Sequence, residues 1–405
     1  MSNAIINVLR KSTAAIAVAV ALAMSLSSCG FVNFVLKYSL DDKRNEESET
    51  VDSENENRLP VEQGSREEIT ISKAESNKNE HDQVTSAGQA YNSVSEVYYA
   101  VADCVVEITT EIVQNSGWMG QYVSKGAGSG VIIDKSGLVV TNNHVIEGAR
   151  QVTVRLTDGS EYSATLMGTD AAADLAVLKI DVAGKSLSAA KLGCSADLVV
   201  GEDVVAIGNP LGSLGGTLTT GIISATERNI IIDGEEMVLL QTNAAINPGN
   251  SGGGLFNMAG ELIGVVNAKA AGEDVEGLGF AIPIDFAHKI IEDLVNYGYV
   301  RDVVDHGLVM LDVTTQNLPF AYQKYGITTT GVVIVESEYT KELKHGDVII
   351  AINGASINTS NDVNIAVKAY SVGETVSVTV KRGDKTVNVS LVLHEKKPET
   401  VDFGR

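Results

Sequence analysis

From about residue 91 onward, short runs of alternating apolar and polar residues are separated by turn residues. Two hairpins are visible, at residues 131–140 and at residues 152–166, and the second turns at Asp158-Gly159. Further apolar runs follow at residues 175–180, 204–207, 221–224, 237–240 and 262–266. Short strands joined by tight turns, without helices between them, are typical of antiparallel barrels or sandwiches. The pattern therefore predicts a mostly β domain.

A helix pattern closes this β region. Pro283 precedes it, Asp285 is its predicted cap, and Gly298 is its predicted end. Its predicted apolar face consists of Phe286, Ile290, Ile291 and Leu294.

A smaller unit begins near residue 307. Its pattern predicts strands at residues 331–335 and 347–352, a helix at residues 361–370 and a hairpin over residues 376–393. The length of about 90 residues lies within the usual range of an independent domain.

The N-terminal pattern is that of an export signal. Arg10 and Lys11 precede the uncharged stretch of residues 12–28. Residues 26–29 (LSSC) resemble a bacterial lipobox, which makes Cys29 a candidate for lipid attachment. Alternatively, the uncharged run continues to Leu36 and spans a bilayer uncut, or the segment is cleaved and the product secreted. Both leading alternatives anchor the chain by its N-terminus at the cell membrane, with the rest outside the cytoplasm.

An acidic, polar segment follows this signal. Residues 41–83 carry 14 acidic and 6 basic residues and hardly any aromatic ones. Such a composition is typical of a solvated linker. The predicted organisation is a signal or anchor segment at residues 1–36, a disordered acidic tether at 37–88, a β domain at 89–300, a smaller domain at 303–396 and a tail at 397–405.

Composition excludes two classes of protein. The 405 residues have a formal net charge of −22, which repels nucleic acid. The three cysteines, Cys29, Cys104 and Cys194, are too few and too scattered for a disulfide scaffold or a cysteine-rich zinc site. We expect Cys104 and Cys194 to be free, and we expect neither a metal nor a cofactor.

Residues 249–253 (GNSGG) carry the sharpest chemical signal. A serine hydroxyl is a poor nucleophile unless a base and backbone N–H donors surround it. Ser251 lies between glycines that permit such a tight turn, although a plain glycine turn is the alternative.

A nucleophilic serine needs a base and a carboxylate that orients the base. Of the six histidines, only His144 ends a β run inside a polar turn, at residues 141–146. Asp174 directly precedes the apolar run 175–180, where burial beside His144 is expected, whereas Asp170 is expected in an exposed loop.

With these three residues in the order His, Asp, Ser, residues 91–298 resemble the HtrA/DegP family of chymotrypsin-like serine proteases. The resemblance rests on residues 128–132 (GSGVI), 141–149 (TNNHVIEGA), 174–180 (DLAVLKI), 206–212 (AIGNPLG), 241–254 (QTNAAINPGNSGGG) and 279–283 (GFAIP). Residues 346–349 (GDVI) and 352–354 (ING) are similar to sequence motifs of PDZ domains. The implied fold is a mostly β, chymotrypsin-like double β-barrel protease domain followed by a smaller α+β PDZ domain.

The resemblance also implies roles for individual residues. Ser251 attacks the scissile carbonyl, His144 transfers the proton, and Asp174 orients His144. The oxyanion hole is formed by Gly249 and Ser251 through their N–H groups, with Asn250 shaping the turn. The wall of the substrate pocket is implied at Val266, Asn267 and Ala268, and the activation loops at residues 211–219 and 270–277. Since no acidic residue lies in that wall, we expect a small or medium aliphatic residue before the cut.

The PDZ text departs from the family at its carboxylate-binding loop. Residues 305–309 (DHGLV) occupy the position where a Tyr-Leu-Gly-like motif is usual in the family. Leu308 and Val309 are still expected to offer N–H groups to a peptide C-terminus. The family also implies a homotrimer, with Tyr98 and Tyr99 as candidate contacts.

The predicted function is that of a serine endopeptidase that degrades unfolded or damaged exported proteins at the cell envelope and is regulated by PDZ peptide binding. Expected partners are unfolded polypeptides and peptide C-termini, with no nucleic acid. The main alternative is a membrane-tethered PDZ binding or chaperone protein without significant proteolysis. A third hypothesis is a trypsin-fold esterase, which the PDZ domain disfavours.

Overall fold

The computed structural model describes residues 69–73, 91–116, 120–208, 216–232, 235–247, 249–271 and 278–397. The predicted signal or anchor segment, Cys29, most of the tether and tail, and most of both activation loops lie outside these residues. Among the described residues, no helix combines the length and the apolar character that a bilayer crossing requires.

A first barrel follows helix α1 (Val94–Val101), whose first turn is capped by the Ser93 hydroxyl. Its strands are β1 (Val105–Ser116), β2 (Gly120–Asp134), β3 (Leu138–Thr141), β4 (Gln151–Arg155), β5 (Glu161–Asp170) and β6 (Leu175–Ile180). They close in the order β1-β2-β3-β6-β5-β4. The barrel interior is filled by apolar side chains that are fully buried, among them Ile108, Ile132, Leu138, Leu175 and Leu178. A short helix, α2 (Asn143–Ile146), follows β3.

A second barrel comprises β8 to β13, with β7 added at its edge. The strands are β7 (Lys191–Leu192), β8 (Asp203–Gly208), β9 (Thr217–Ile232), β10 (Glu235–Thr242), β11 (Gly254–Asn257), β12 (Glu261–Val266) and β13 (Gly279–Pro283). Their order is β11-β8-β9-β10-β13-β12-β7, and pairing of β11 with β12 closes a ring of six strands. Strand β7 lies parallel to β12 outside that ring.

Helix α3 (Ile284–Asn296) packs against both barrels, as the sequence predicts, but its predicted cap and apolar face need correction. Pro283 occupies the cap position, and the Asp285 carboxylate accepts the Ala196 N–H instead. Phe286 is 51% exposed, because the buried face runs through Ile284, Ala287, Ile290, Ile291, Leu294 and Val295. Gly298 follows the helix with a φ of 85°, as expected of a residue that ends a helix.

The smaller C-terminal domain contains a six-stranded antiparallel sheet, a separate two-stranded sheet formed by its first and last strands, and two helices. The elements are β14 (Val304–Asp305), β15 (Leu308–Val313), α4 (Leu318–Tyr325), β16 (Gly331–Ser337), β17 (Val348–Ile352), β18 (Ala355–Ser356), α5 (Ser360–Lys368), β19 (Thr375–Arg382), β20 (Lys385–Val392) and β21 (His394–Glu395). The sheet order is β15-β16-β17-β19-β20. The predicted hairpin over residues 376–393 is formed by β19 and β20. The helix predicted at residues 361–370 corresponds to α5, whereas α4 lies where no helix is predicted.

This architecture confirms the predicted fold class. Two β barrels are followed by a smaller α+β domain. The tether prediction differs from the structure at one place: residues 69–73 lie against α3 and β7, with Ile71 only 5% exposed.

Candidate active site

The site lies between the two barrels, which hydrogen bonds join at this point. The Ser129 N–H of the first barrel donates to Ser251 O at 2.8 Å. From the second barrel, Asn267 Nδ2 donates to Asp174 Oδ2 at 3.0 Å. The three residues that sequence reasoning selects, His144, Asp174 and Ser251, therefore come together across one interface.

Asp174 holds the His144 side chain in one orientation. Asp174 Oδ2 lies 2.7 Å from His144 Nδ1, and Asp174 Oδ1 accepts the His144 backbone N–H at 2.9 Å. Because a carboxylate accepts but does not donate, Nδ1 carries a proton, and in the neutral ring the lone pair then lies on Nε2. This is the tautomer that a general base facing a serine needs.

The Asp174 backbone is locally strained and is held by several donors. Its φ is 52°, in the left-handed region that L-residues seldom occupy and that aspartate tolerates better than most. Asn142 Nδ2 donates to Asp174 O at 3.0 Å, and the Asp174 side chain is 9% exposed. Strained residues that surrounding contacts over-determine occur frequently at active sites.

The turn that presents Ser251 requires glycine at position 252. Gly252 has a φ of 80°, and a Cβ there would lie 2.2 Å from both Ser129 O and Thr141 Oγ1. The Gly253 N–H donates to Asn250 O at 2.8 Å, which closes the turn. Any side chain at position 252 would collide with the backbone of the first barrel, so the pentapeptide is a shaped turn.

Of the three predicted oxyanion-hole residues, two have free N–H groups within the described part of the chain, and the third shapes the turn. Gly249 has a φ of 105°, and its N–H and that of Ser251 have no acceptor among the described residues. The Asn250 N–H donates to Asn247 O at 3.0 Å, so its backbone shapes the turn. Ser129 Oγ donates to Gly249 O at 2.6 Å, which fixes the carbonyl of the same loop.

The Ser251 hydroxyl bonds to a backbone N–H and not to the histidine. Ser251 Oγ accepts the Ala268 N–H at 3.3 Å, and no hydrogen bond joins Oγ to Nε2 of His144, although both residues are described. Serine–histidine contacts are commonly looser in free enzymes than in substrate complexes.

Only one of the three predicted pocket-wall residues is accessible. Val266 and Asn267 are fully buried; the Val266 backbone bonds to Gly253 O and to the Gly252 N–H. Asn267 instead donates to Asp174, a contact that the sequence pattern does not reveal. Ala268 is partly exposed. Asn267 therefore supports the Asp174 carboxylate, and Ala268 is the accessible residue of this stretch.

The predicted PDZ loop also differs in detail. Leu308 is 7% exposed, and its N–H donates to His306 Nδ1 at 2.9 Å. Val309 is 55% exposed. The His306 ring donates from Nε2 to Asn364 Oδ1 at 3.0 Å. One predicted carboxylate donor is thus already used within the loop.

Comparisons with known proteins agree with this geometry. Residues 128–265 match the model of the trypsin-like peptidase domain, and residues 312–393 match that of the PDZ domain. The chain is 36% identical over 338 residues to the serine protease Do-like HtrA of Bacillus subtilis, covering 76% of this chain and 74% of that protein. It is 38% identical to the putative serine protease HhoA of Synechocystis, over 66% of this chain and 70% of that protein.

Solved structures give the same assignment. The HtrA-type protease AlgW with a decapeptide matches at 33% identity and a TM-score of 0.52, over 76% of this chain and 99% of that one. The serine endoprotease from Yersinia pestis matches at 30% identity and a TM-score of 0.51, over 76% and 100%. The alternative without proteolysis finds no support among these relatives. This chain belongs to the HtrA (Do-like) family of serine proteases.

Proposed function

We propose that Ser251, His144 and Asp174 carry out peptide-bond hydrolysis in this serine endopeptidase. The observation that carries the proposal is the Asp174 carboxylate bound to both His144 N–H groups, beside a glycine-shaped turn that holds Ser251. No cofactor takes part in this chemistry.

The geometry supports the following sequence of steps. Ser251 Oγ leaves the Ala268 N–H, turns to His144 Nε2 and loses its proton to it as it bonds to the scissile carbonyl carbon. The oxygen that becomes negative receives the N–H groups of Gly249 and Ser251. His144 then gives its proton to the leaving amine as the C–N bond breaks. Water then loses a proton to His144 as its oxygen bonds to the acyl carbon, and the bond from that carbon to Ser251 Oγ breaks as His144 returns the proton to Oγ.

We further propose that the substrates are unfolded or damaged exported proteins at the cell envelope. An accessible Ala268 beside Ser251, with no carboxylate in the predicted pocket wall, favours a small or medium aliphatic residue before the cut. The PDZ domain regulates this activity by binding peptide C-termini, since β15 and α5 border a strand edge of the kind to which extended peptides add.

The proposed location is the membrane, through lipid on Cys29 or an uncut hydrophobic segment. The intact mass of the chain extracted from bacterial membranes distinguishes the two: a lipid-bearing chain that begins at Cys29, or an uncut one. Recovery of the chain from the culture medium alone would contradict both.

A homotrimer is proposed from the family, with Tyr98 and Tyr99 in the contact. Tyr99 is 83% exposed, and its ring lies 5.7 Å from that of Tyr98. Tyr99→Asp is expected to lower the mass measured by light scattering, whereas Tyr322→Asp, at another exposed tyrosine, leaves it unchanged. Equal masses for both variants would exclude Tyr99 from the contact.

The catalytic assignment is tested by a fluorophosphonate that acylates activated serines. We expect a single label on the peptide containing Ser251, lost in His144→Ala, because the serine needs its base. A label that persists in His144→Ala, or that maps to another serine, would overturn the assignment.

A further inference from the structure

Residues 69–73 (ITISK), here named the latch segment, lie on the second barrel although the surrounding chain is acidic and polar. Ile71 is 5% exposed, Ile69 and Lys73 are half-buried, and Thr70 and Ser72 are exposed. This alternation is that of a β-strand with one buried face. Lys73 pairs with Leu192 of β7 in a parallel bridge, so the segment extends the sheet at β7.

Helix α3 contacts the latch segment along its whole length. Asn296 binds the Ile69 backbone in both directions: Oδ1 accepts the N–H at 2.8 Å, and Nδ2 donates to the carbonyl at 3.1 Å. His288 Nε2 donates to Ile71 O at 2.7 Å. At the other end of the helix, the Lys73 ammonium pairs with the Asp285 carboxylate.

The two elements match in length and run antiparallel. From Asp285 to Asn296 the helix rises about 16 Å, and a five-residue strand spans about 13 Å between its end residues. Three of the polar contacts recognise backbone atoms, which any sequence offers. The half-buried Ile69, the buried Ile71 and the Lys73 ion pair, in contrast, require particular side chains.

We propose that α3 and β7 form a binding site for an extended peptide of the form Ile-x-Ile-x-Lys, and that the latch segment is its built-in ligand. The latch segment then contacts the protease beside α3, ahead of Tyr91 in the chain. The site also clamps α3, whose Asp285 carboxylate accepts the Ala196 N–H at 2.7 Å and whose C-terminal end leads into the PDZ domain. The proposal does not depend on the proteolytic mechanism.

Limited proteolysis with added trypsin tests whether the segment is held. The full chain is used in detergent, with Ser251→Ala to stop self-cleavage. Because the Lys73 ammonium is bound to Asp285, cleavage after Lys73 is expected to be slow, and at least ten-fold faster in Ile71→Asp. Thr70→Asp, which places the same charge at the exposed neighbour, is the matched control and stays protected. Equal rates in all three chains would overturn the proposal.

A variant on the helix guards against misfolding of Ile71→Asp. Asn296→Ala removes both hydrogen bonds to Ile69 and leaves the segment itself intact. We expect cleavage after Lys73 to be several-fold faster in Asn296→Ala, whereas a rate equal to that of the parent would contradict the role of α3. Protection that vanishes on dilution would show that a second copy supplies the strand, which overturns the intrachain assignment.

Binding in trans tests the site itself. A fluorescent peptide of residues 66–76 is titrated with the full chain and followed by anisotropy. We expect binding to Ile71→Asp to be at least ten-fold tighter than to the parent, whose site is already filled, and we expect no binding by a peptide that itself carries Ile71→Asp. Failure of the peptide to bind Ile71→Asp would overturn the proposal.

Discussion

Two histidines of this molecule lie in two peptide-binding regions, and their ring nitrogens have opposite roles. In the protease, His144 Nδ1 lies 2.7 Å from the Asp174 carboxylate, so Nδ1 carries the proton. In the PDZ loop, His306 Nδ1 accepts the Leu308 N–H at 2.9 Å, so Nε2 carries the proton. The first ring is prepared to accept a proton, whereas the second ring ties up a donor that a peptide carboxylate would use.

The difference shows what a matching motif transfers and what it does not. Around His144 the chain keeps the family text, and the geometry has the expected form. Around His306 the sequence of residues 305–309 (DHGLV) departs from that of the family, and the His306 side chain accepts the Leu308 N–H. Similar sequence therefore carries the geometry only where the residues that make the hydrogen bonds are kept.

The largest expected effect comes from Asp174→Asn. An amide in place of the carboxylate favours the other tautomer of His144, which leaves Nε2 protonated and unable to act as a base. We expect kcat for a peptide substrate to fall about 10⁴-fold with an unchanged melting temperature. A loss below about ten-fold would remove Asp174 from the mechanism and erase the contrast with His306.

The second effect concerns stability of the PDZ domain. The Asp347 side chain is 1% exposed, and Arg382 contacts both of its oxygens at 2.7 Å. We expect Asp347→Asn to lower the free energy of unfolding of this domain by about 2–3 kcal/mol, because the Arg382 guanidinium loses its charged partner. Asp384→Asn, at an exposed turn, is the matched control, and equal denaturant midpoints for the two variants would contradict the prediction.

The same aspartate predicts acid sensitivity. Burial alone would raise the pKa of Asp347, but hydrogen bonds from Arg382 and the Lys344 N–H, together with the positive charges nearby, hold that pKa below its ordinary value. The folded domain therefore binds the proton less readily than the unfolded chain does. The resulting stability is present above the ordinary aspartate pKa of about 3.9 and is lost as the pH falls through the lower folded value. Denaturant unfolding between neutral and strongly acidic pH measures this loss, which Asp347→Asn should reduce; an equal loss in parent and variant would contradict it.

A smaller effect is expected at Asn267, which we assign as a positioning residue. Asn267→Ala removes one donor to the carboxylate that orients His144, and we expect kcat to fall about ten-fold with KM nearly unchanged. Asn243→Ala serves as the control, because Asn243 bonds the Ile222 N–H away from Asp174. A rise in KM at constant kcat would instead show that Asn267 contributes to substrate binding, as the sequence analysis predicts.

The smallest effect concerns His306. His306→Ala removes the acceptor of the Leu308 N–H, which frees that donor for a peptide carboxylate. We expect binding of a decapeptide with a free C-terminus, selected from a random library, to be about three-fold tighter to His306→Ala than to the parent chain at the same pH. The amidated peptide should show no such gain; equal affinities of parent and variant for the peptide with the free C-terminus would refute the prediction.

Much of the fold follows from the sequence because its signals are local. Alternating apolar residues around Asp158-Gly159 and around residues 382–385 mark hairpins that the structure contains. Helix α4 is missed because it has only eight residues, of which Ala321 alone is fully buried. The apolar face of α3 is shifted from the predicted one, because Phe286 fits the periodicity and yet lies on the outside.

The site is predictable in part for the same reason. Distinctive local sequence motifs contain Ser251, His144 and Asp174. The contact between Asn267 and Asp174 joins residues 93 positions apart, and no local sequence pattern predicts it. The latch segment is not apparent from the sequence, since one buried and one half-buried isoleucine are too few to outweigh the acidic composition of the tether. Contacts between distant segments are what the sequence leaves open.

Gel-monitored cleavage of unfolded casein by the full chain in detergent, beside Ser251→Ala, tests the nucleophile most directly. We predict that the parent chain cleaves casein and that Ser251→Ala reduces the rate at least about 10³-fold while keeping the fold. Equal cleavage by both chains, or none by a parent chain given C-terminal peptides for its PDZ domain, would contradict the claim that Ser251 is the nucleophile of a serine endopeptidase.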